Sequence, residues 1–437
     1  MERHLFKKLE AWKDKKNRKP LIIRGARQVG KTWLMKSFGN KSFEQVAYIN
    51  FEANEQLQTL FLDDFDISRI LRAIRLVTNV EPVPGKTLII FDEIQAAERG
   101  VTVLKYFCEE APEFHIIAAG SLLGITLHKN TSFPVGKIEF LDLFPMNYVE
   151  FLMALGEKDL CALLLDADWK LITVFKHHYI ERLRQYYYVG GMPEAVKAFV
   201  ENDDYEEVRE IQINILQTYE NDFSKHAPAE IVPRIRMLWN SIPAQLAREN
   251  KKFVYGLIKS GARAKDFEMA LLWLEDSGLL HRVCRISKPA LPIKSYEDYN
   301  AFKLFLSDVG LLSAMNKIDR SVLLNGNELF REFKGALTEQ YVLQQLKTHP
   351  EYQINYWSAE RSEGEVDFVI QTAGDIVPVE VKAEENLKAK SLMAFIRKYG
   401  LQRAIRLSMS DYREDNNLTN IPLYGVEHLK KSFAYQL

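Results

Sequence analysis

The stretch that most constrains the folding of this 437-residue chain lies near its start. Pro20-Leu21-Ile22-Ile23-Arg24 is short and apolar, and it runs directly into Gly25-Ala26-Arg27-Gln28-Val29-Gly30-Lys31-Thr32. Trp33-Leu34-Met35-Lys36-Ser37-Phe38 then continues as a helix-compatible run. A buried strand, a loop of the form G-x-x-x-x-G-K-[ST] and a helix, in that order, are the context of a phosphate-binding loop. Gly25 and Gly30 let the backbone curl so that its N–H groups converge on an anion. The helix N-terminus adds partial positive charge. Lys31 is placed to reach the β- and γ-phosphates and Thr32 to ligate Mg²⁺. Residues Gly25 to Trp33 are therefore the expected nucleotide cradle.

A second signal follows about sixty residues later. Thr87-Leu88-Ile89-Ile90-Phe91 is a continuous apolar run ending in Asp92-Glu93. Strands buried on both faces of a parallel sheet read this way, and ligands collect at their carboxyl ends. Asp92 is the expected partner of the Mg²⁺ site, and Glu93 is placed to activate water against the γ-phosphate. Val46–Phe51 and His115–Ala119 supply two more strands, the latter followed by Gly120-Ser121. The expected fold class is α/β, with a parallel-sheet core at 1–150.

This layout resembles the AAA-type P-loop ATPases. The resemblance implies ATP and Mg²⁺ as cofactors and ATP hydrolysis as the activity. It places Ser121 where such proteins carry a γ-phosphate sensor, although Asn is more usual there. It also puts Asn50 where some members restrain the catalytic Glu; a strand-end Asn capping its own loop is the plainer alternative. An arginine finger from a neighbouring subunit is expected of the family. Arg99 and Lys137 are candidates by position, against a reading as ordinary surface charge, and Arg27 either touches nucleotide or faces water.

The middle of the chain reads as a helical lid at 151–230. Its Tyr188-Val189-Gly190-Gly191-Met192-Pro193-Glu194 marks a helix end, a tight turn and a new helix start. Residues 231–325 suit a winged helix-turn-helix: a turn at Ser260–Arg263, a helix with Phe267, Ala270, Leu271 and Leu274 at helical spacing, then a wing strand from Leu279. Such a helix can enter a DNA major groove, or it can pack as a switch element. The arrangement is similar to a bacterial and archaeal family of AAA-type ATPases related to the STAND group. That resemblance implies that Pro193 or its neighbours lie near the adenine; a plain interhelical turn is the alternative.

After residue 330 the order reads helix, three strands, helix, strand. Asp367 falls on the second strand, and Glu380-x-Lys382 on the third. Alternation puts Glu380 and Lys382 on one face. Two carboxylates can hold Mg²⁺ while a lysine positions water. The constellation at 326–437 resembles the PD-(D/E)XK nuclease fold, and it carries over as Asp367, Glu380 and Lys382 with Glu339 as an auxiliary acid. Glu365-Val366 precedes Asp367 where the nominal pattern has proline, and a simple Glu380–Lys382 ion pair is the structural alternative.

Composition narrows the rest. Hydrophobic residues at 47% and charged residues at 27% are globular values and argue against a disordered chain. Fifty-eight Lys+Arg against 59 Asp+Glu give −1 overall, yet residues 1–40 carry +9 (12 − 3) and residues 231–290 carry +6 (11 − 5). Either stretch could face phosphate, including nucleic acid, or be a solvated basic face. No apolar run is long enough for a membrane span. The N-terminal residues lack a signal-peptide core. Cys108, Cys161 and Cys284 fit no disulfide or zinc spacing. The expected address is the cytoplasm. The expected function is an Mg²⁺-dependent ATPase that switches conformation with nucleotide. The alternatives are an ATP-gated DNA or RNA nuclease, and a regulatory ATP-binding scaffold with a protein partner. Oligomeric state and pathway are not legible.

Overall fold

The computed structural model describes residues 3–120, 134–248, 251–325, 331–359, 364–372, 374–385 and 389–429. The chain divides into two compact units, residues 2–144 with 276–279, and residues 145–275 with 280–437.

The first unit is built on five parallel strands: β1 (Leu21–Arg24), β2 (Gln45–Asn50), β3 (Thr87–Asp92), β4 (His115–Ala119) and β5 (Glu139–Asp142). Their order is β2-β3-β4-β1-β5, and every neighbouring pair is parallel. β3 and β4 are buried along their whole length, the physical reason their sequences are unbroken apolar runs. Parallel pairing forces each connection to cross back over the sheet. The helices Lys31–Ser42, Ile67–Thr78 and Gly100–Glu110 lie in these crossovers. Ile22, Ile89, Phe91, Val103, Phe107 and Ile116 meet in one core cluster. All five carboxyl ends therefore share one edge. β5 escaped the sequence reading because Glu139-Phe140-Leu141-Asp142 is only partly buried; it pairs with β1 along all four residues of that strand.

The basic N-terminal segment is largely bound into this unit. Lys13 donates to Ser42 O at 2.6 Å, Lys15 pairs with Glu139 at 2.8 Å, and Arg18 donates to Pro112 O at 2.9 Å. Much of its +9 charge is thus spent on anchoring the helix Leu5–Lys13 and the residues that follow it.

In the second unit, helices between Tyr148 and His226 occupy the segment expected to be a lid. The helices Val232–Leu246 and Ala264–Asp276 and the antiparallel hairpin β6 (Leu280–Ile286) and β7 (Glu297–Leu306) follow. Phe267, Ala270, Leu271 and Leu274 are buried as their spacing requires. After the helix Arg331–Lys347 come β8 (Gln353–Ser358), β9 (Glu365–Gln371), β10 (Ile376–Val381), the helix Lys390–Tyr399, and β11 (Ala404–Ser408), β12 (Arg413–Asp415) and β13 (Leu418–Pro422). These strands form one eight-stranded sheet ordered β12-β13-β11-β10-β9-β8-β6-β7. The sequence divides 231–325 from 326–437, but β6 pairs with β8 through Arg285–Tyr356 and Ile286–Trp357. The hairpin is thus the edge of the same sheet rather than a free wing. Its basic residues are also engaged: Arg282 with Glu275, and Arg285 with Asp298 at 2.6 Å.

Buried polar side chains lock the early helices onto the later ones. Asp308 accepts from the Gly191 N–H at 2.6 Å and from Gln344 at 2.9 Å. Gln345 accepts from the Tyr148 N–H at 2.7 Å. Buried donors and acceptors without partners are costly, so these bonds fix which helix faces meet. The Gly190-Gly191 turn has a packing reason of its own. A Cβ on Gly191 would lie 2.1 Å from Met146 O, and one on Gly190 2.2 Å from Asp308 Oδ1. Gly191→Ala should destabilise this unit by about 2–3 kcal/mol through overpacking, lowering its urea midpoint. Gly335→Ala, in a helix where the new Cβ meets no atom of another element within 4 Å, should stabilise the unit by up to about 1 kcal/mol and raise that midpoint.

Candidate functional site

The turn after β1 places the expected phosphate cradle at the carboxyl edge of the parallel sheet. Gly25 has φ +149° and Gly30 φ +92°, both in the region that disfavours side chains. A Cβ on Gly25 would also stand 2.2 Å from Leu143 O. Gln28, at φ 65°, completes the curl. Ala26 and Val29 are buried beneath it, while Trp33 is 47% exposed on the following helix. Lys31 is buried, and its ammonium donates to Gly25 O and Ala26 O, both at 2.8 Å. Burial pulls its pKa down to about 8, against the opposing pull of Glu93 and Asp92 and with a further push from Arg27. Among the described residues these two carbonyls hold the ammonium, and charged phosphate oxygens would hold it more strongly.

Asp92 closes the site from the neighbouring part of the sheet. Thr32 Oγ1 donates to Asp92 Oδ2 at 2.6 Å across sixty residues of sequence. Thr32 and Asp92 are the two residues that would hold Mg²⁺ beside a bound nucleotide, and their oxygens already converge. Glu93 follows at φ 49°, a left-handed conformation unusual for glutamate. Its backbone N–H donates to Asp92 Oδ1 at 3.1 Å, and its carboxylate accepts from Gln95 at 2.5 Å. The turn thus holds Glu93 beside Asp92, where both carboxylates act electrostatically on Lys31.

Three contributors were not legible in the sequence. Tyr48, on β2, donates its hydroxyl to Asp92 Oδ2 at 2.9 Å. Burial, with the adjoining Asp92 carboxylate, pushes its pKa up to about 12, so it remains a donor. The β2–β3 register, with Asn50 opposite Asp92, is what brings it there. Arg3 donates to Val29 O at 3.0 Å and to Phe144 O at 2.5 Å, tying the chain's start to the loop. Gln95 supplies the contact on Glu93 that the resemblance suggested for Asn50. Asn50 instead accepts from Glu52 N and Ala53 N, at 2.9 and 3.1 Å, and caps its own loop. The finger candidates are engaged within the chain. Arg99 donates to Leu62 O at 2.7 Å and lies over Phe65, and Lys137 pairs with Glu109 at 2.9 Å. Ser121 lies outside the described residues.

The second constellation also comes together, with additions. Asp367 on β9 and Glu380 on β10 lie on neighbouring antiparallel strands. Glu380 pairs with Lys382 at 2.5 Å, and Asp367 accepts from the Val381 N–H at 2.7 Å. Glu339 projects from the helix Arg331–Lys347 into ion pairs with Lys251 and, at 3.4 Å, with the fully buried Lys303 of β7. Lys303 also pairs with Glu365. Burial opposes charge at Glu339, but the two ammoniums win and draw its pKa down to about 2. Asp367 is driven the other way, by withdrawal from water and then by the Glu339 and Glu380 carboxylates. Among the described residues, no group of three or more His, Cys, Asp or Glu is placed to hold a metal ion.

Residues 17–152 match a family model described as an AAA domain. Residues 180–322 and 334–425 match two models described as domains of unknown function, DUF8612 and DUF4143. No curated protein matches the chain. A Walker-type ATPase of Pyrococcus abyssi is similar at 14% identity, covering 71% of this chain and 94% of its own, with a TM-score of 0.45. The Aeropyrum pernix ORC1 protein, solved in complex with DNA, is similar at 11% identity over 72% of this chain and 90% of its own, with a TM-score of 0.27. The RuvB Holliday junction branch migration motor of Thermotoga maritima is similar at 16% identity over 65% and 90%, with a TM-score of 0.28. The AAA-domain match falls on the segment that carries the glycine loop and the five-stranded parallel sheet, an α/β core of P-loop form. Among the described residues, no helix is long and apolar enough to cross a membrane.

Burial draws the pKa of the Lys31 ammonium down to about 8, and a polyphosphate binds its charged form. Above that pH, binding must take up a proton. Polyphosphate affinity should therefore fall by up to about tenfold per pH unit above pH 8. Calorimetry at pH 7 and pH 9, in buffers of different ionisation enthalpy, checks both the fall and the proton uptake.

Proposed function

We propose that this protein binds ATP with Mg²⁺ at the Gly25–Trp33 loop, hydrolyses it, and changes conformation with nucleotide state. The observation that carries this reading is the convergence of Lys31, Thr32, Asp92 and Glu93 on one edge of the parallel sheet. Lys31 neutralises β/γ-phosphate charge, exchanging the Gly25 and Ala26 carbonyls for phosphate oxygens. Thr32 and Asp92 hold the metal, which supplies electrostatic stabilisation of the transferring phosphoryl group. Glu93 orients the attacking water and accepts its proton.

The contacts that Thr32 and Asp92 make within the protein support a switch. Thr32 and Asp92 are bonded to each other, and Asp92 also takes the Tyr48 hydroxyl. Admitting the metal would exchange the Thr32–Asp92 bond for ligand bonds at the end of β3. Glu93, adjacent in sequence and bound to Gln95, would feel that exchange directly. Nucleotide occupancy would thus be coupled to the position of the catalytic carboxylate. A nucleic-acid partner receives less support, because basic residues at 231–290 such as Arg282, Arg285 and Lys251 are paired with carboxylates.

Glu93→Gln keeps the shape but removes the base. It should bind ATP within about threefold of the starting protein and lose about 100-fold or more in steady-state turnover. Turnover left unchanged would remove Glu93 from this role. Tyr48→Phe should retain ATP binding while shifting its Mg²⁺ dependence, read as turnover against free Mg²⁺.

A further inference from the structure

The nuclease-like constellation has the acids its sequence pattern requires, but its interior is supplied with charge from another direction. Glu339, Glu365, Asp367 and Glu380 bring four carboxyl groups together from one helix and two adjacent strands. Lys303 enters from β7, the edge strand contributed by the hairpin, and Lys251 from the segment before it. The Lys303 side chain is fully buried and bridges Glu339 and Glu365, with its ammonium 5.0 Å from the centre of the Tyr356 ring. Lys251 takes the other oxygen of Glu339. Lys382 takes Glu380 Oε1 at 2.5 Å, and the Val381 N–H takes Asp367 Oδ2.

A divalent cation in an oxygen site needs several ligands, six or so for Mg²⁺, with near-ideal geometry. Here both Glu339 oxygens, one oxygen of Glu365, one of Asp367 and one of Glu380 are already committed. That leaves one oxygen each on Glu365, Asp367 and Glu380, the last of them buried without a hydrogen-bond partner, and three acceptors fall short of the six or so that Mg²⁺ takes. Charge points the same way. Three ammoniums stand against four carboxyl groups, with Lys303 bridging Glu339 and Glu365, Lys251 on Glu339 and Lys382 on Glu380. A buried ion cluster satisfied in this way has little electrostatic need of a further cation.

We propose that the Lys303 ammonium, with Lys251 beside it, stands in the place of a divalent cation among Glu339, Glu365, Asp367 and Glu380. The centre at the end of the chain accordingly binds no metal and performs no metal-dependent phosphodiester cleavage. An ammonium is a compact, strongly hydrated point charge with three donors, and it can be bonded to several carboxylates at once. The inference is independent of the nucleotide reading, since it uses no residue of the glycine loop.

The test is Mn²⁺ binding to the full-length protein without nucleotide, followed by the electron paramagnetic resonance signal of the free ion. The starting protein and Glu380→Gln should bind the same number of Mn²⁺ ions. Lys303→Met should gain one ion per chain, and adding Glu380→Gln to it should remove that ion. Loss of one bound Mn²⁺ from the starting protein on Glu380→Gln would overturn the proposal. So would a folded Lys303→Met protein, checked by circular dichroism, that gains no ion. Should Lys303→Met fail to fold, the comparison of the starting protein with its isosteric Glu380→Gln variant still decides whether the native centre holds a metal.

Discussion

The hydrogen bond from Thr32 to Asp92 joins the helix that follows β1 to the end of β3, although β4 lies between those two strands in the sheet. It can form only because every strand of the unit is parallel and every carboxyl end therefore faces the same edge. The rest of the nucleotide site depends on that constraint. Lys31 precedes Thr32, Glu93 follows Asp92, and Tyr48 reaches Asp92 from the next strand. Burial of β3 and β4 makes the platform rigid: a shift of either strand would expose an apolar row such as Leu88-Ile89-Ile90-Phe91. The reactive groups thus sit on the most firmly packed part of the unit, where geometry can be held closely.

The second unit solves a different problem with similar economy. Its sheet gathers four carboxyl groups in one place, those of Glu339 and Glu380 buried, which would be strongly unfavourable without compensating charge. Lys251, Lys303 and Lys382 provide that charge. Two of them come from outside the nuclease-like segment, from the hairpin strand and the residues before it. The sheet that joins the hairpin to β8 is therefore also an electrostatic arrangement. Removing the hairpin would take Lys303 from both Glu339 and Glu365 and leave Glu339 with Lys251 alone. This gives a physical reason why 231–325 and 326–437 fold into one sheet rather than as separate modules.

The features legible in the sequence are those with local causes. The glycine loop is visible because backbone conformation selects glycine at Gly25 and Gly30. β3 is visible because two-sided burial demands an unbroken apolar run. The helix Ala264–Asp276 is visible because its buried residues recur at helical spacing. Contributors set by register or by distant partners stay hidden. Tyr48 looks like any strand tyrosine until Asn50 is paired with Asp92. Arg3 looks like one of many N-terminal cations until its bonds to Val29 O and Phe144 O are seen. Lys303 did leave a trace: it is a lone charge in Ala301-Phe302-Lys303-Leu304-Phe305-Leu306, and a buried lysine requires an acidic partner. Its carboxylates lie 36 and 62 residues further along the chain, at Glu339 and Glu365, and only the assembled sheet identifies them. The 231–325 segment misled for the opposite reason. Its local pattern of helix, turn, helix and hairpin is real, but what the hairpin pairs with is a long-range matter.

The central claim is that the glycine loop is a working nucleotide site whose charge is supplied by Lys31. It is tested most directly by calorimetric titration of ATP into the full-length protein and its Lys31→Ala variant, each with and without Mg²⁺. The account predicts one ATP per chain for the starting protein, tighter binding when Mg²⁺ is present, and a loss of at least about 100-fold in affinity on Lys31→Ala. Equal ATP affinity in the two proteins, or no binding to the starting protein, would contradict it.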